Sequence, residues 1–220
     1  TGLIDAPNAL AYALTLRPGS VIYDGFNVTS VFETLEPIPG VQPWLAVNVS
    51  PACTTAVLLQ FVDNALYILA DWVREGDPGL TLGAILREAQ IEAGSPRSPP
   101  RLVAPEEHFG NYDTLGIRAA AKRIPVVIRK GAPLHQGREE LRSLIQKQVK
   151  GLPALRISTR ARWTLNGFSG GYARQIAKNG HIAEFAAEGV YRTLMEGLES
   201  FAGLMRYVGR DEDDKVKYQV

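Results

Sequence analysis

The chain has 220 residues, of which 45% are hydrophobic and 21% charged, and its formal net charge is +1. This composition is that of a globular domain with a substantial core. No apolar run approaches the roughly 18 residues of a membrane-spanning helix, which argues against a membrane span. Cys53 is the single cysteine, so the chain has no internal disulfide framework.

Charge is divided unevenly along the chain. Residues 1–117 hold five Lys and Arg against 13 Asp and Glu, whereas residues 118–174 hold 13 against two. A basic block beside an acidic one is typical of a protein that binds a polyanion on one surface and metal ions on another. The alternative is a solvated basic helix face that pairs with acids elsewhere.

The first half of the chain predicts a sheet that begins after an irregular lead-in. Within residues 1–42, Ser30 and Glu33 fit a capping box and predict a small helix. Three β-rich runs joined by short turns then predict consecutive antiparallel strands, at 44–50, 54–61 and 65–72. An amphipathic pattern over 80–94 predicts a helix that ends at its final glycine.

The second half alternates strands with helices. Strands are predicted at 101–104, 124–129 and 154–158, and helices at 113–123, 137–151 and 188–208. Residues 209–220 are polar and predict a frayed tail. Antiparallel strands followed by parallel ones predict an α/β fold, in which a mixed sheet carries helices on both faces. This order is the ribonuclease-H-like plan.

Acidic side chains stand where the predicted elements end or turn. They are Asp71 at the end of the third strand, Glu106 and Glu107 just after the fourth, and Glu196 and Glu199 one turn apart in the last helix. Carboxylates at the carboxyl ends of strands converge beside a mixed sheet. Hydrolysis of a phosphodiester by two metal ions needs three or four of them. Alternatively, these acids are solvated or pair with arginines.

A second motif points to different chemistry. Residues 167–171, GFSGG, fit the G-x-S-x-G of a nucleophile elbow, with Ser169 as nucleophile. The preceding residues are not strand-like, and no acid lies between Ser169 and His181, so a glycine-rich loop is the better interpretation. The chain also lacks the P-loop pattern, which excludes ATP hydrolysis by that route.

The stretches LAVNVSPACTTAVLLQ and YRTLMEGLESFAG, with the β-β-β-α-β-α-β-α order, resemble the C-terminal nuclease domain of the large terminase subunit of tailed bacteriophages. The resemblance covers about residues 43–206. It implies a lead-in or linker at 1–42 from an upstream ATPase domain, a nuclease domain at 43–208 and a flexible tail at 209–220. That ATPase domain is expected before Thr1.

The resemblance also implies a set of metal ligands. Carried over position by position, the first metal-binding aspartate of the family falls on Asn48, the second acid on Glu106 or Glu107, and the third on Glu196, with Asp71 in reserve. An amide oxygen can coordinate Mg²⁺ but brings no negative charge. Asn48 therefore marks a naturally weakened site or a deliberate replacement of aspartate. The other interpretation is a buried polar residue satisfied by hydrogen bonds.

The implied function is that of a metal-dependent endonuclease, a hydrolase that cuts concatemeric double-stranded DNA when packaging starts and ends. Two Mg²⁺ or Mn²⁺ ions are the implied cofactors. The implied partners are DNA, the terminase ATPase domain, the portal protein and the small terminase subunit, in the host cell cytoplasm, with no membrane and no place in the mature virion. The alternative is a catalytically degenerate DNA-binding or assembly module of the packaging motor.

Six basic residues are candidates to hold DNA phosphates. They are Arg129, Lys130, Arg138, Arg142, Arg160 and Arg162. Contacts to phosphates carry no sequence information, so cutting is expected to be nearly sequence-blind.

Overall fold

The structure, a computed structural model, describes residues 20–33, 35–94, 99–109 and 128–205. The helix predicted at 113–123, most of the strand predicted at 124–129 and the tail predicted at 209–220 lie outside these residues. Within the described ranges, no helix is long and apolar enough to cross a bilayer.

Strands dominate the first half of the described chain and recur between helices in the second half. In chain order they are β1 (Val31–Phe32), β2 (Trp44–Val49), β3 (Thr54–Val62), β4 (Ala65–Arg74), β5 (Arg101–Ala104), β6 (Ile128–Lys130), β7 (Gln148–Val149), β8 (Leu152–Pro153), β9 (Leu155–Ser158), β10 (Arg174–Ile176) and β11 (Ile182–Ala186). The helices are α1 (Pro78–Glu92), α2 (Leu134–Gln146), α3 (Arg162–Asn166) and α4 (Val190–Ala202).

Seven of these strands form one mixed sheet in the order β1-β9-β4-β3-β2-β5-β6. β3 pairs antiparallel with β2 and β4, whereas β5 joins β2, β6 joins β5 and β9 joins β4 in parallel. The sheet therefore has three antiparallel strands followed in the chain by parallel ones. The predicted fold class is confirmed.

Helices cover both faces of the sheet. α1 begins at Pro78 because the side chain of Asp77 accepts hydrogen bonds from the first free amides of the helix. It packs against β3 and β4, and its buried side chains join one apolar cluster. α4 crosses β2, β3 and β5 on the opposite face, and α2 packs against α4. The core thus consists of two apolar layers separated by the sheet.

β2 shows why the sequence folds into a sheet with two covered faces. All six of its residues are buried. Trp44 and Ala46 enter the cluster on the α4 side, while Leu45 and Val47 enter the cluster on the α1 side. A continuous apolar run is what a strand between two helical layers requires, in contrast to the alternation of a half-exposed strand.

The segment before β2 departs from the prediction. Ser30 ends a short 3₁₀ turn, and β1 follows it directly and pairs in parallel with β9, so the helix predicted from Ser30 and Glu33 is wrong. Ile22 and Tyr23 are also buried in the core on the α4 side. Part of the predicted lead-in therefore packs with the sheet, through nonlocal contacts that local pattern does not reveal.

The ends of two predicted helices also differ. α2 runs over Leu134–Gln146 and ends before the predicted 151, because Lys147 is extended (φ −92°, ψ 147°) and leads into the β7–β8 hairpin, whose turn has positive φ at Lys150 and Gly151 (55° and 78°). α4 begins at Val190, since Gly189 has a φ of 139°. The β10–β11 hairpin before α4 was not predicted from the sequence.

Candidate functional site

Asn48 lies near the carboxyl end of β2 and is 2% exposed. Its Nδ2 donates to the carbonyl oxygen of Thr193 in α4 at 3.0 Å, and its Oδ1 accepts from the N–H of Val49 at 2.8 Å. Nε2 of His108 lies 2.7 Å from the same Oδ1. The amide therefore joins β2, α4 and the 3₁₀ turn after β5.

These contacts fix both the amide and the imidazole. A carbonyl oxygen only accepts and a backbone N–H only donates, so the Asn48 amide has one orientation that satisfies Thr193 and Val49. With Oδ1 facing His108, the imidazole must carry a proton on Nε2 and donate it to Asn48. The tautomer thus follows from the hydrogen-bond network.

Two carboxylates stand on the elements that contact this amide. Oε1 of Glu107 lies 3.9 Å from Nε2 of His108. Glu196 in α4 is 13% exposed at its side chain and accepts a 2.8 Å hydrogen bond from Nε of Arg192. Burial raises the pKa of Glu196, the bond from Arg192 lowers it, and the negative charge of Glu107 raises it again. The charges of Glu107 and Glu196 therefore interact, and we call Asn48, His108, Glu107 and Glu196 the Asn48 cluster.

Glu106 and Asp71 have other partners. Glu106 forms a 2.5 Å ion pair with Lys130, and both side chains are about half exposed. Asp71 accepts a 2.6 Å hydrogen bond from the N–H of Thr164 in the first turn of α3. Burial raises the pKa of Asp71 to about 6, although bonds to the backbone of α3 oppose the shift. Of the two adjacent glutamates, only Glu107 belongs to the Asn48 cluster.

The oxygen-rich donor set of the Asn48 cluster suits a hard divalent cation such as Mg²⁺ or Mn²⁺. Across the described ranges, no three His, Cys, Asp or Glu side chains lie close enough together to hold a metal ion. The two carboxylates of the cluster are fewer than the three or four that a pair of cations requires. The described residues thus offer a cation at most two carboxylates and one amide oxygen here, which is too few for a pair of cations.

Two residues of this region were missed as site residues in the sequence. His108 is 3% exposed and holds Asn48, and its position directly after Glu107 was its only signal. Glu199 is fully buried and pairs with Arg138 Nε at 3.0 Å. The sequence had named Glu199 beside Glu196 as a candidate acid of the last helix, but its partner lies 61 residues away in sequence.

Most of the basic residues proposed for DNA phosphates already contact other groups. Arg138 pairs with Glu199, Arg142 with Glu139 at 2.7 Å, Lys130 with Glu106, and Arg160 with Glu92 and Glu36. The guanidinium of Arg129 lies 5.4 Å from the ring centre of Trp44. Arg162 is exposed in α3. Four of the six basic residues therefore form ion pairs with acidic side chains, as the alternative interpretation expects, and their role in DNA binding stays a prediction.

The GFSGG motif does not form a nucleophile elbow. It is a π turn, Gly167–Gly171, that follows α3 rather than a strand. Ser169 is exposed in this turn. The context required for an activated serine, a strand before the turn and a helix after it, is missing around this residue. The glycine-rich loop interpretation is confirmed.

No protein-family model and no curated protein matches this sequence significantly. Solved structures do match the fold. The large terminase of a thermophilic bacteriophage, in complex with ADP, superimposes with a TM-score of 0.65 at 12% identity over 86% of this chain. The nuclease domain of the bacteriophage SPP1 large terminase, with bound Mn, gives 0.53 at 14% identity over 84%. The chain has the fold of a large-terminase nuclease domain.

The share of each matched protein that is covered shows where the likeness lies. The chain spans 45% of the ADP-bound large terminase but 98% of the SPP1 nuclease domain. The large terminase nuclease of the thermophilic phage G20c, with bound magnesium, is covered over 99% at a TM-score of 0.54 and 10% identity. The terminase nuclease fold thus accounts for most of this chain. Sequence identity this low supports a shared fold and nothing further.

Proposed function

We propose that this chain is the metal-dependent nuclease domain of a DNA-packaging terminase and that Glu107 and Glu196 hold its cation. The observation that carries the proposal is the pair of interacting carboxylates near Asn48, Glu107 in the turn after β5 and Glu196 in α4. The fold it shares with nuclease domains that bind magnesium or manganese supports this. The substrate is double-stranded DNA, cut at the start and the end of packaging.

The residues of the Asn48 cluster have different roles at the proposed cation site. A bound divalent cation would supply Lewis-acid activation of water and stabilise charge on the leaving oxygen. Glu107 and Glu196 bring the negative charge that attracts it, and the bond from Arg192 favours the charged form of Glu196 against the effect of burial. Oδ1 of Asn48 already accepts hydrogen bonds from Val49 and His108, so it is a weak ligand. We therefore infer a site of reduced cation affinity.

The other partners follow from the same proposal. An exposed Arg162 and the basic character of residues 118–174 favour contact with DNA phosphates, which is sequence-independent and sensitive to salt. A terminase ATPase domain is the proposed upstream partner, since the ADP-bound large terminase is about twice the length that this chain covers. The portal protein and the small terminase subunit are proposed as further partners in the host cytoplasm.

Calorimetric titration with Mn²⁺ tests the choice of ligands. Glu196→Gln and Glu107→Gln are each expected to weaken binding by about tenfold or more, because affinity follows the charge of the ligands. Glu106→Gln is the matched control, since it removes the same charge one residue away, where Lys130 is the partner. Equal effects of the Glu106 and Glu107 variants, or no saturable binding by the wild type, would contradict the proposal.

A second candidate function is a DNA-binding module that has lost the chemistry. The specific observation in its favour is that both polar atoms of the Asn48 amide already form hydrogen bonds within the protein. This candidate predicts binding of duplex DNA with a steep salt dependence and no saturable binding of Mn²⁺. Nicking of supercoiled plasmid by the wild type in Mn²⁺, lost in Glu196→Gln, separates the enzyme from this module.

A further inference from the structure

Glu199 is a fully buried carboxylate with four hydrogen bonds. Its Oε1 accepts from the hydroxyl of Tyr23 at 2.6 Å and from Nε of Arg138 at 3.0 Å. Its Oε2 accepts from Nη2 of Arg138 at 3.1 Å and from the hydroxyl of Tyr172 at 3.3 Å. We call these four residues the Glu199 network. It joins α2, α4, the turn after α3 and the segment that precedes β1.

The backbones of α4 and α2 approach each other closely beside this network. A Cβ built on Gly137 would lie only 1.7 Å from the carbonyl oxygen of Glu199. One turn further along α4, a Cβ on Gly203 would lie 2.5 Å from Cβ of Ala132. The bidentate Arg138–Glu199 pair adds a fixed geometry to this contact. Both the rotation and the axial position of α4 are therefore set at this crossing.

The same helix carries Glu196, one of the four residues of the Asn48 cluster. Glu196 precedes Glu199 by three residues, so the two lie on adjacent turns of one rigid helix. A Cβ on Gly197 would lie 3.3 Å from Cβ of Asn48, and the carbonyl oxygen of Thr193 accepts a hydrogen bond from Nδ2 of Asn48. A small rotation of α4 would therefore move Glu196 relative to Glu107, which stands on the opposite, β5 side of the cluster.

The segment before β1 is held at the same place. The hydroxyl of Tyr23 binds Glu199, and Nη2 of Arg142, one turn after Arg138 in α2, donates to the carbonyl oxygen of Ile22 at 3.2 Å. The ring of Tyr23 also packs against Phe168, with centroids 4.9 Å apart. A change in the path of this segment would thus act directly on the carboxylate that orients α4.

We propose that Arg138 and Glu199 are positioning residues for the cation site, and that Tyr23 makes this positioning depend on the segment that precedes β1. The inference rests on the proposed function, because it assigns a regulatory input to the same carboxylates. Removing the Tyr23 hydroxyl takes away one of four bonds to a buried charge. The remaining bonds to Arg138 keep the protein folded, but α4 gains freedom at the crossing.

Mn²⁺ affinity of the folded protein tests this positioning. Tyr23→Phe keeps the ring and removes the hydroxyl, and it is expected to weaken Mn²⁺ binding about three- to tenfold, the range of one net hydrogen bond. Tyr67→Phe is the matched control, because the hydroxyl of Tyr67 also contacts a charged side chain, that of Arg156, but between β4 and β9. The control is expected to bind Mn²⁺ as the wild type does.

A double-variant cycle shows whether Tyr23 acts through Glu199. Glu199→Gln is expected to weaken binding more than Tyr23→Phe does. The double variant should then be no weaker than Glu199→Gln alone, because coupled residues are not additive. Independent, additive losses would overturn the inference. A loss of thermal stability with unchanged Mn²⁺ affinity would also overturn it, since that is the mark of a merely structural role.

Hydrogen exchange gives a second readout that needs no metal ion and no Glu199 variant. Tyr23→Phe is expected to accelerate exchange of the α4 amides about tenfold while leaving α1 unchanged. Equal exchange in α4 of the wild type and Tyr23→Phe overturns the positioning. Wild-type protein that binds no Mn²⁺ overturns the proposed function, whereas wild-type binding that Tyr23→Phe does not alter overturns the positioning alone.

Discussion

Replacing Asn48 by aspartate tests the central feature of the site. The substitution changes one NH₂ group into an oxygen, with no change in size. In the wild type that group donates at 3.0 Å to the carbonyl of Thr193, inside a region where Asn48 is 2% exposed. In Asn48→Asp, an oxygen would face the carbonyl oxygen of Thr193. The variant also places a third carboxylate beside Glu107 and Glu196.

The cost can be worked out from these contacts. Loss of the donor leaves a buried acceptor without that partner, which costs about 1–3 kcal/mol. Repulsion from Glu107 and Glu196 adds to it, so a loss of about 2–3 kcal/mol is expected in the absence of metal ions. For a domain of this size, 1 kcal/mol lowers Tm by about 2–4 °C. The melting temperature should therefore fall by about 4–12 °C.

Divalent cations should reverse the effect. At about 100 times its Kd, a ligand of the native state contributes about 2.7 kcal/mol. Mn²⁺ should thus restore the stability of Asn48→Asp and increase plasmid nicking above the wild-type level. Thermal melts in EDTA and in Mn²⁺, run beside the double variant Asn48→Asp/Glu196→Gln, measure this. If the Tm of Asn48→Asp in EDTA is within about 1 °C of the wild-type Tm, the reasoning about the amide is refuted. If Mn²⁺ does not restore the Tm of a destabilised Asn48→Asp, the cation site is refuted.

Three further predictions concern residues outside the cluster. Burial raises the pKa of Asp71 to about 6, so the protonated side chain stabilises the protein below about pH 4, and this stabilisation is lost as the pH rises through 6. Asp71→Asn should therefore raise Tm more at pH 7.5 than at pH 4.5, as thermal melts across that range would measure. Gly137→Ala should lower the free energy of unfolding, measured with denaturant, by about 3 kcal/mol or more. Gly197→Ala should lower it by about 1 kcal/mol or less, because its added Cβ would lie 3.3 Å from Asn48 and alanine favours the helix. Arg162→Ala should weaken DNA binding and reduce its salt slope by about 0.9, whereas Arg160→Ala, whose guanidinium pairs with acids, should not; fluorescence anisotropy at several salt concentrations decides.

The sheet could be predicted from the sequence where local signals are strong. β2, β3 and β4 are long apolar runs, and the Asp63–Asn64 turn between β3 and β4 has positive φ at both residues, a conformation that Asp and Asn favour. The same reasoning could not find the β10–β11 hairpin, whose strands are only three and five residues long, or β1, which has two residues and pairs with the distant β9. Pairing of that kind leaves no local pattern.

The sequence predicted where the candidate site lies along the chain, but not which of two adjacent glutamates belongs to it. The sequence placed two acids directly after the strand that ends at Ala104, but the 3₁₀ turn Glu106–Phe109 decides which glutamate lies beside His108. That turn sends Glu106 to Lys130 and leaves Glu107 beside His108. Since both glutamates are exposed, the hydrophobic pattern had no information with which to separate them.

The last helix shows why a buried charge is harder to foresee than a buried apolar side chain. Glu196 and Glu199 differ by three residues, so helical periodicity gives them almost the same direction. Their partners separate them: Arg192 lies on the same helix, whereas Arg138 comes from α2 and reaches Glu199 because Gly137 lets the two backbones touch. A charge enters the core only where such a partner and such a gap coincide, which is a property of two helices together. The carboxylate that a cation would meet and the carboxylate that holds its helix in place can therefore be told apart only in three dimensions.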